Sequence, residues 1–333
     1  MPPIVNPPRT TDVAIIGAGV SGLTAAWRLR AAGRSVQVFE ARERLGGRAF
    51  TRTVSGRAVD LGATWVWDSE IHVHRLLRAL DLTTFATATD GLDVYDDGTL
   101  QRGRLPVSSV PERRIEGGMR ALVNALAERA GPVQLNRQVT GLEPTNAGVI
   151  VRTAASSVEA QVVLAALPPS LVAPWIPALA ERLQRVPVWM GDVAKCVGLF
   201  DRPVWSERGL SGRAFSRLGP MSEVHQLSDA DGPALFGFAH RSDASDLEER
   251  VSAQFKRLFG AAPTELIIQR WWREPFTTSS EASDQRLFGH PMLREPFLDG
   301  RLHFISCETS GVSPGHLDGA IERAEAVCRV LLR

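Results

Sequence analysis

The sequence predicts an α/β protein, α+β overall, in which a domain built on a central parallel sheet is joined to a smaller, mostly antiparallel domain. Residues 13–48 run strand, helix, strand, as in a parallel sheet with a crossover helix. Residues 171–286 bring Pro, Trp and alternating apolar and polar residues, which favours antiparallel strands. Residues 302–332 return to a strand and an amphipathic helix. The first domain is therefore predicted to be discontinuous.

We assign residues 11–75, 115–168 and 290–333 to the first domain, and residues 76–114 and 169–289 to the second. Apolar periodicity and turn residues place the individual elements. The predicted helices are 21–32, 71–80, 119–129, 244–259 and 315–332. The predicted strands include 13–16, 35–39, 58–66, 133–142, 149–153, 158–166 and 302–306, with a hairpin at 95–99.

The first βαβ unit carries a dinucleotide-binding motif. Gly17, Gly19 and Gly22 form G-x-G-x-x-G between a buried strand and a helix. In this motif the glycines allow the tight turn, the approach of backbone to a pyrophosphate, and close packing of helix on strand. The helix N-terminus adds unpaired N–H groups and a positive dipole end. A glycine-rich turn without a ligand is the alternative, but the flanking strand and helix favour a nucleotide.

An acid and a second glycine pair complete this site. Glu40 ends the second strand, where it can bind ribose hydroxyls and would repel a 2′-phosphate, so NADP is not expected. The following Gly46 and Gly47 offer another close backbone approach. Arg42 and Arg48 can offset the charge of a diphosphate. A plain nicotinamide dehydrogenase has no need of this extension.

Composition excludes several classes of function. The chain has 333 residues, is 44% hydrophobic and has a net charge of +1, which gives no electrostatic case for nucleic acid or an anionic membrane. No apolar run approaches a membrane span, and the N-terminus lacks the pattern of a signal peptide. Three cysteines without C-x-x-C spacing, and scattered histidines, predict neither a disulfide framework nor a metal site. We expect a cytoplasmic protein with reduced thiols.

From the glycine pair onward, the chain resembles the flavin-containing amine oxidases, a family that includes monoamine, polyamine and L-amino-acid oxidases. The resemblance covers nearly the whole chain and rests on six motifs in the family's order. These are the 13–48 segment, VDLGATWV at 59–66, IEGGM at 115–119, MGDVAKCVGLFDRPVW at 190–205, WWREPF at 271–276 and HFISCETSGVSPGHLDGAIERAEAV at 303–327. It implies a Rossmann-like domain that binds FAD.

The resemblance assigns the site residues. Lys195 and Trp271 are the implied catalytic residues, with Lys195 holding a water near flavin N5 and promoting the reaction with dioxygen. The implied FAD-binding residues are Gly17, Gly19, Val20, Ser21, Gly22, Glu40, Ala41, Arg42, Gly47, Arg48, Gly62, Ala63, Thr64, Trp65, Val139, Glu308, Gly315, His316 and Leu317. The helix that begins near Gly315 would direct its dipole at the pyrimidine side of the flavin, where negative charge develops on reduction.

Each catalytic assignment has a structural alternative. Only Lys195 and Lys256 are lysines among 38 basic residues. A lysine within the 190–205 motif therefore indicates that this position needs an amine that can lose its proton, which arginine cannot do. The alternative is a structural role, in which Lys195 lies at the end of a strand and extends its amine toward solvent. Trp65 and Trp271 either wall the flavin site or fill the core, as large aromatic residues often do.

Four features depart from the family. The chain is short, and the region between Gly98 and Ile115 lacks the usual helical lid. No cysteine follows Trp271 at the place of covalent attachment, so FAD is expected to be non-covalent. The places of the paired tyrosines fall near Glu281 and on His316, and Ser306-Cys307 replaces Gly-Thr before Glu308.

The resemblance implies an FAD-dependent oxidase that takes a hydride from the carbon beside a primary or secondary amine. The product imine hydrolyses, and dioxygen reoxidises the flavin to give hydrogen peroxide. One alternative is a desaturase or a renalase-like dihydronicotinamide oxidase of the same fold. Another is a binding subunit with an FAD fold and no turnover. Glu281 favours a cationic substrate, and the oligomeric state stays open.

Overall fold

A computed structural model describes residues 9–88, 90–104, 112–278 and 283–333. The described strands, in chain order, are β1 (Arg9–Ile16), β2 (Val36–Phe39), β3 (Thr51–Val54), β4 (Arg57–Asp60), β5 (Val66–Trp67), β6 (Thr84–Ala86), β7 (Leu92–Asp96), β8 (Leu100–Gly103), β9 (Glu112–Ile115), β10 (Val139–Pro144), β11 (Val149–Thr153), β12 (Ser157–Ala165), β13 (Val193–Leu199), β14 (Leu210–Ser216), β15 (Met221–Gln226), β16 (Ala234–His240), β17 (Glu265–Arg270) and β18 (Leu302–Phe304). The α-helices are α1 (Val20–Ala31), α2 (Ile71–Ala79), α3 (Gly118–Ala130), α4 (Pro169–Val172), α5 (Ala180–Gln184), α6 (Leu247–Phe259) and α7 (Leu317–Leu331).

The first sheet has a parallel centre. Strand β1 pairs in parallel with β2 on one side and with β12 on the other, and β18 joins β12 in parallel. Strands β10 and β11 extend this sheet as an antiparallel hairpin. Helices α1 and α7 pack together on it, with α3 against α1, and bury Leu23, Leu29, Leu122, Ile321 and Ala324. The predicted α/β fold with a Rossmann-like unit is confirmed.

The second sheet has seven strands in the order β17-β13-β16-β15-β14-β7-β8. All its neighbours are antiparallel except β14 and β7. Strands β7 and β8 come from residues 92–103 and the others from residues 193–270, so two separated segments build one sheet. Helix α6 covers it with Phe255 and Phe259, which belong to the same buried cluster as Trp205. The predicted domain boundaries stay predictions.

A separate apolar cluster joins the two-stranded sheet of β3 and β4 to the seven-stranded sheet. Val59 and Leu61, from β4 and the turn after it, pack against Val197 and Phe236 of β13 and β16. The indole Nε1 of Trp271 donates to Leu61 O at 2.9 Å across the same contact. The apolar contacts and this hydrogen bond therefore hold the turn after β4 against the second sheet.

Several element ends differ from the prediction. Residues 133–138 lie outside β10, which begins at Val139, and α7 begins at Leu317, because Gly315 takes a left-handed turn with φ +80°. Cys196, Cys307 and Cys328 are free and buried. Within the described ranges, no helix is long and apolar enough to cross a membrane, and no group of His, Cys, Asp and Glu has the arrangement of a metal site.

Candidate active site

One cavity of about 500 Å³ runs from the carboxyl ends of β1 and β2 to the start of α7. Ligands of open parallel sheets bind at this edge. Most predicted cofactor residues line it: Gly17, Gly19, Val20, Ser21, Glu40, Ala41, Arg42, Gly47, Arg48, Gly62, Ala63, Thr64, Trp65, Val139, Gly315, His316 and Leu317. The structure therefore brings together residues that lie up to 300 positions apart in the sequence.

At the nucleotide end, α1 presents an uncapped N-terminus. Its N-cap residue, Gly19, makes no side-chain capping bond, and the first turn contains no acid. Val20 and Ser21 are nevertheless buried and line the cavity. A buried helix end whose N–H groups lack partners is a site for an anionic ligand. These residues fit the diphosphate of a dinucleotide.

Gly22 explains why α1 starts so close to the sheet. A Cβ on Gly22 would lie 2.0 Å from Gly17 O, a contact that backbone cannot relieve. Gly22 does not line the cavity, so its predicted cofactor role is to allow this packing. The second glycine loop closes over the first, with Gly46 N donating to Ala18 O at 2.9 Å.

Glu40 ties the glycine turn to the end of β2. Its Oε2 accepts from Ala18 N at 2.8 Å, and its Oε1 accepts from Arg42 N at 2.9 Å. Both carboxylate oxygens keep further lone pairs. The side chain is thus held in the cavity wall, where the sequence predicted an acceptor for ribose hydroxyls.

The two arginines predicted to offset phosphate charge are already paired. Arg42 Nε lies 3.1 Å from Glu274 Oε1, and Arg42 Nη2 donates to Thr277 Oγ1 at 2.9 Å. Arg48 makes a two-pronged ion pair with Glu308, with N–O distances of 2.5 and 3.1 Å. Each of these guanidinium groups already has a carboxylate partner, and the backbone N–H groups at the start of α1 offer further donors to an anion at this end.

Glu308 does not line the cavity itself, but it is paired with Arg48, which does. Burial opposes ionisation of Glu308, but the charge and hydrogen bonds of Arg48 outweigh it and lower the pKa of that carboxyl. Next to it, burial raises the pKa of the Cys307 thiol to about 12. Cys307 lines the cavity as a neutral thiol, with its Sγ 3.3 Å from Arg48 Nη2.

Lys195 and Trp271 lie behind the turn at residues 62–65 and do not line the cavity. Lys195 on β13 is fully buried, and its Nζ donates to Gly62 O at 3.0 Å and to Thr64 Oγ1. Trp271 packs against Gly62, where a Cβ would lie 3.2 Å from the indole. The sequence allowed two places for Trp271, the wall of the flavin site or the core. In the structure it is fully buried one layer behind the cavity wall, as a support for the turn.

The environment of Lys195 favours its neutral form. Burial lowers the pKa of the Lys195 ammonium to about 7. Attraction to Asp60 acts against this shift, and repulsion from Arg114 adds to it. The Nζ atom also lies 4.3 Å from the ring centre of Phe236. An amine that is partly deprotonated near neutral pH therefore sits one residue layer from the cavity.

The other end of the cavity is aromatic. Trp65 lies 5.9 Å from Trp67 and 6.5 Å from Phe238, measured between ring centres, and Trp189 lies 5.2 Å from Phe238. All four line the cavity together with Glu223, whose Oε2 lies 3.2 Å from His225 Nε2. His316 closes the wall, 5.1 Å from Trp67.

Sequence reasoning missed Trp67, Trp189, Glu223, Phe238 and Cys307 as cavity residues. Glu223 and Phe238 are neighbours across β15 and β16, a long-range pairing with no local signature. Trp67 was detectable, since it lies two residues beyond Trp65 and directly follows the motif at residues 59–66. Glu281, which favoured a cationic substrate, lies outside the described residues.

Replacing Lys195 by Met should change how stability depends on pH. Because its pKa is about 7 in the folded protein and near 10.5 when unfolded, the unfolded chain binds the extra proton between these values. As pH falls from 10 to 7, wild type should lose stability relative to Lys195→Met by on the order of 4 kcal/mol. Urea unfolding across this range measures the difference.

The exposed lysine on α6 provides the matched control. Lys256→Met should follow the pH dependence of wild type, because Lys256 is exposed. If all three proteins show the same pH dependence, Lys195 does not change its ionisation on folding.

Comparison with known proteins agrees with this geometry. The sequence profile of the family described as flavin containing amine oxidoreductase matches residues 101–332. A profile of the NAD(P)-binding Rossmann-like domain matches residues 15–80. Together the two matches include every residue that lines the cavity. Residues 81–100, which neither profile matches, contribute nothing to the cavity wall.

Two relatives match along almost the whole chain. One is AofH of Mycobacterium tuberculosis, a protein described as a flavin-containing monoamine oxidase. It is 27% identical to this chain, and the alignment covers 99% of each chain. Flavin-containing amine oxidase B of Sus scrofa is 24% identical over 96% of this chain and 86% of its own. The alignment with AofH runs over 451 positions, more than the 333 residues here, so AofH carries segments that this chain lacks.

The fold matches solved structures too. Wild-type putrescine oxidase bound to putrescine superposes with a TM-score of 0.85 at 22% identity, over 98% of this chain and 100% of that one. At this identity the match shows the fold alone. The profile match over most of the chain shows the family: this chain belongs to the flavin-containing amine oxidoreductases and is an FAD-dependent oxidoreductase.

Proposed function

We propose that this protein is an amine oxidase that binds FAD non-covalently and uses dioxygen as acceptor. One observation carries the proposal. A single cavity joins an uncapped helix N-terminus, suited to a diphosphate, to an aromatic chamber that contains a carboxylate. The first feature suits a dinucleotide and the second suits an organic cation.

The residues of the cavity fit FAD along its length. Glu40 and Val139 would hold the adenosine half, residues 17–21 and Gly47 the diphosphate, and the turn at 62–65 with residues 315–317 the flavin ring. Bound FAD would supply the oxidant: it would accept a hydride from the substrate carbon, and the two electrons would go on to dioxygen, which with two protons, one from the hydride and one from the amine nitrogen through solvent, would become hydrogen peroxide.

Non-covalent binding is supported by the state of the cysteines. Cys307 lines the cavity, whereas Cys196 and Cys328 do not. A thiol acts as a nucleophile in its thiolate form, and burial raises the pKa of Cys307 to about 12. A bond from Cys307 to the cofactor is therefore disfavoured. A cytoplasmic location stays a prediction from the sequence.

The aromatic chamber supports an amine as substrate. The faces of Trp and Phe rings attract organic cations, and Glu223 adds one negative charge to the chamber. His316 also lies in this wall. The carboxylate favours an amine over an uncharged substrate of a desaturase, or over a dihydronicotinamide, whose dinucleotide form carries a negatively charged diphosphate.

Lys195 is proposed to promote the reaction with dioxygen. Its Nζ donates hydrogen bonds to Gly62 O and Thr64 Oγ1, and the turn that contains both residues lines the cavity. The pKa of about 7 leaves both protonation states populated near neutral pH. Lys195 is thus able to hold a proton, or the water that carries it, next to this turn. Trp271 supports the turn from behind.

An amine panel tests the function. At least one of the amines benzylamine, cyclohexylamine and putrescine should bleach the flavin band without oxygen and release hydrogen peroxide in air. Glu223→Gln keeps the shape of the side chain and removes its charge, so it should lower kcat/KM by about tenfold or more. Bound FAD that reacts with a dihydronicotinamide and with none of the amines would contradict amine oxidation. A flavin that no reductant of the panel bleaches would indicate a binding subunit.

The role of Lys195 has its own test. Lys195→Met should slow reoxidation of reduced flavin by dioxygen by about a hundredfold or more, a loss of roughly 3 kcal/mol in transition-state stabilisation. FAD binding should change little, since Lys195 does not line the cavity. Stopped-flow mixing with oxygen measures the rate, and Lys256→Met is the control. An unchanged rate would remove Lys195 from the oxidation chemistry.

A further inference from the structure

A carboxylate and an imidazole form a pair at the aromatic end of the cavity. His316 Nδ1 lies 3.2 Å from Glu70 Oε1. Glu70 precedes α2 and is buried, and its second oxygen accepts from Trp67 N at 3.1 Å. The His316 side chain is half exposed and lines the cavity. A rigid carboxylate thus orients an imidazole that faces the substrate space.

This geometry fixes the tautomer of His316. An ionised carboxylate only accepts hydrogen bonds, so Nδ1 must be the donor to Glu70. In the neutral imidazole, Nε2 then carries the lone pair. Among the described residues, no protein atom makes a hydrogen bond with Nε2. The free lone pair is therefore available to a ligand in the cavity.

The surrounding charges favour a protonated imidazole. The hydrogen bond to Glu70 raises the pKa of His316 above its ordinary value, burial acts against it, and the charges of Glu70 and Asp318 add to the rise. Trp67, which packs against the ring, carries no charge. Asp318 is itself held by the N–H groups of His72 and Val73 at the start of α2. Two fixed carboxylates thus stabilise an imidazolium at this place.

We propose that His316, oriented by Glu70, removes a proton from the ammonium form of the substrate before oxidation. The inference rests on the proposed amine oxidation. Amines reach the cavity as ammonium ions, which lack the nitrogen lone pair from which the C=N bond of the imine forms. One N–H bond of the ammonium breaks, an Nε2–H bond forms, and no electrons are exchanged. The proton then leaves His316 for solvent, and Glu70 acts as a positioning residue.

The test uses an amine that cannot be oxidised. Cumylamine has no hydrogen on the carbon beside nitrogen, so it binds as a substrate analogue without reducing the flavin. The imidazole of His316 in the FAD-loaded protein is followed by ¹⁵N NMR, one pH unit above its own measured pKa, and His316→Asn assigns the signal. Cumylamine should convert His316 to imidazolium. Benzyltrimethylammonium, which has no N–H proton to give, should leave it neutral.

Glu70→Gln tests the positioning role. This variant keeps the side-chain shape and removes the charge, so the pKa of His316 should fall by about one unit or more, and cumylamine should protonate it less. In turnover, His316→Asn should lower kcat/KM most between the pKa of His316 and that of the substrate amine, where the imidazole is neutral and the amine is still protonated.

The outcomes separate this inference from the proposed function. If the amine panel yields peroxide while bound cumylamine leaves His316 neutral, the proton-acceptor role is wrong and amine oxidation stands. If Glu70→Gln leaves the pKa of His316 unchanged, Glu70 does not position it. If no amine reduces the flavin, the proposed function itself fails.

Discussion

The close contact between Gly22 and Gly17 is the constraint on which the cavity depends. Because no side chain separates these residues, α1 starts directly against the end of β1 and presents its uncapped N-terminus to the cavity. The second glycine loop then packs on the first through Gly46 and Ala18, and Glu40 fastens the turn to β2. These contacts within the protein preorganise the nucleotide end of the cavity.

Two arginines of the cavity wall, Arg42 and Arg48, are each balanced by a carboxylate of the protein. Arg48 is paired with Glu308, and Arg42 is held by Glu274 from the segment that follows β17. A diphosphate would therefore meet backbone N–H groups, with the paired arginines nearby. The same logic applies at the other end, where Glu70 holds His316, whereas Lys195 is buried with neutral partners and has a lowered pKa. Of the two ionisable groups proposed for chemistry, Lys195 has its pKa lowered to about 7 by burial, and His316 has its pKa raised by the hydrogen bond to Glu70.

Much of the fold and of the nucleotide end was predictable, because its signals are local. The strand, glycine turn and helix at residues 13–31 specify one another over a few residues, and the closing segment at 303–327 carries its own motif. Glu223 and Phe238 were not predictable, since antiparallel pairing of β15 with β16 brings them to the cavity. Trp271 was matched to the right motif, yet side-chain direction depends on tertiary packing, and the indole points at Leu61 behind the turn.

The central claim is that the N-terminus of α1 holds the diphosphate of a non-covalent FAD, and titration of apoprotein with FAD tests it most directly. Wild type should turn yellow and release intact FAD in acid. Ser21→Asp places a carboxylate where the diphosphate belongs while favouring the helix, so the folded variant should bind FAD at least about a hundredfold more weakly, roughly 3 kcal/mol. Ser21→Ala should bind FAD as wild type does. Equal affinity in Ser21→Asp, or a wild-type protein that stays colourless, would contradict the account.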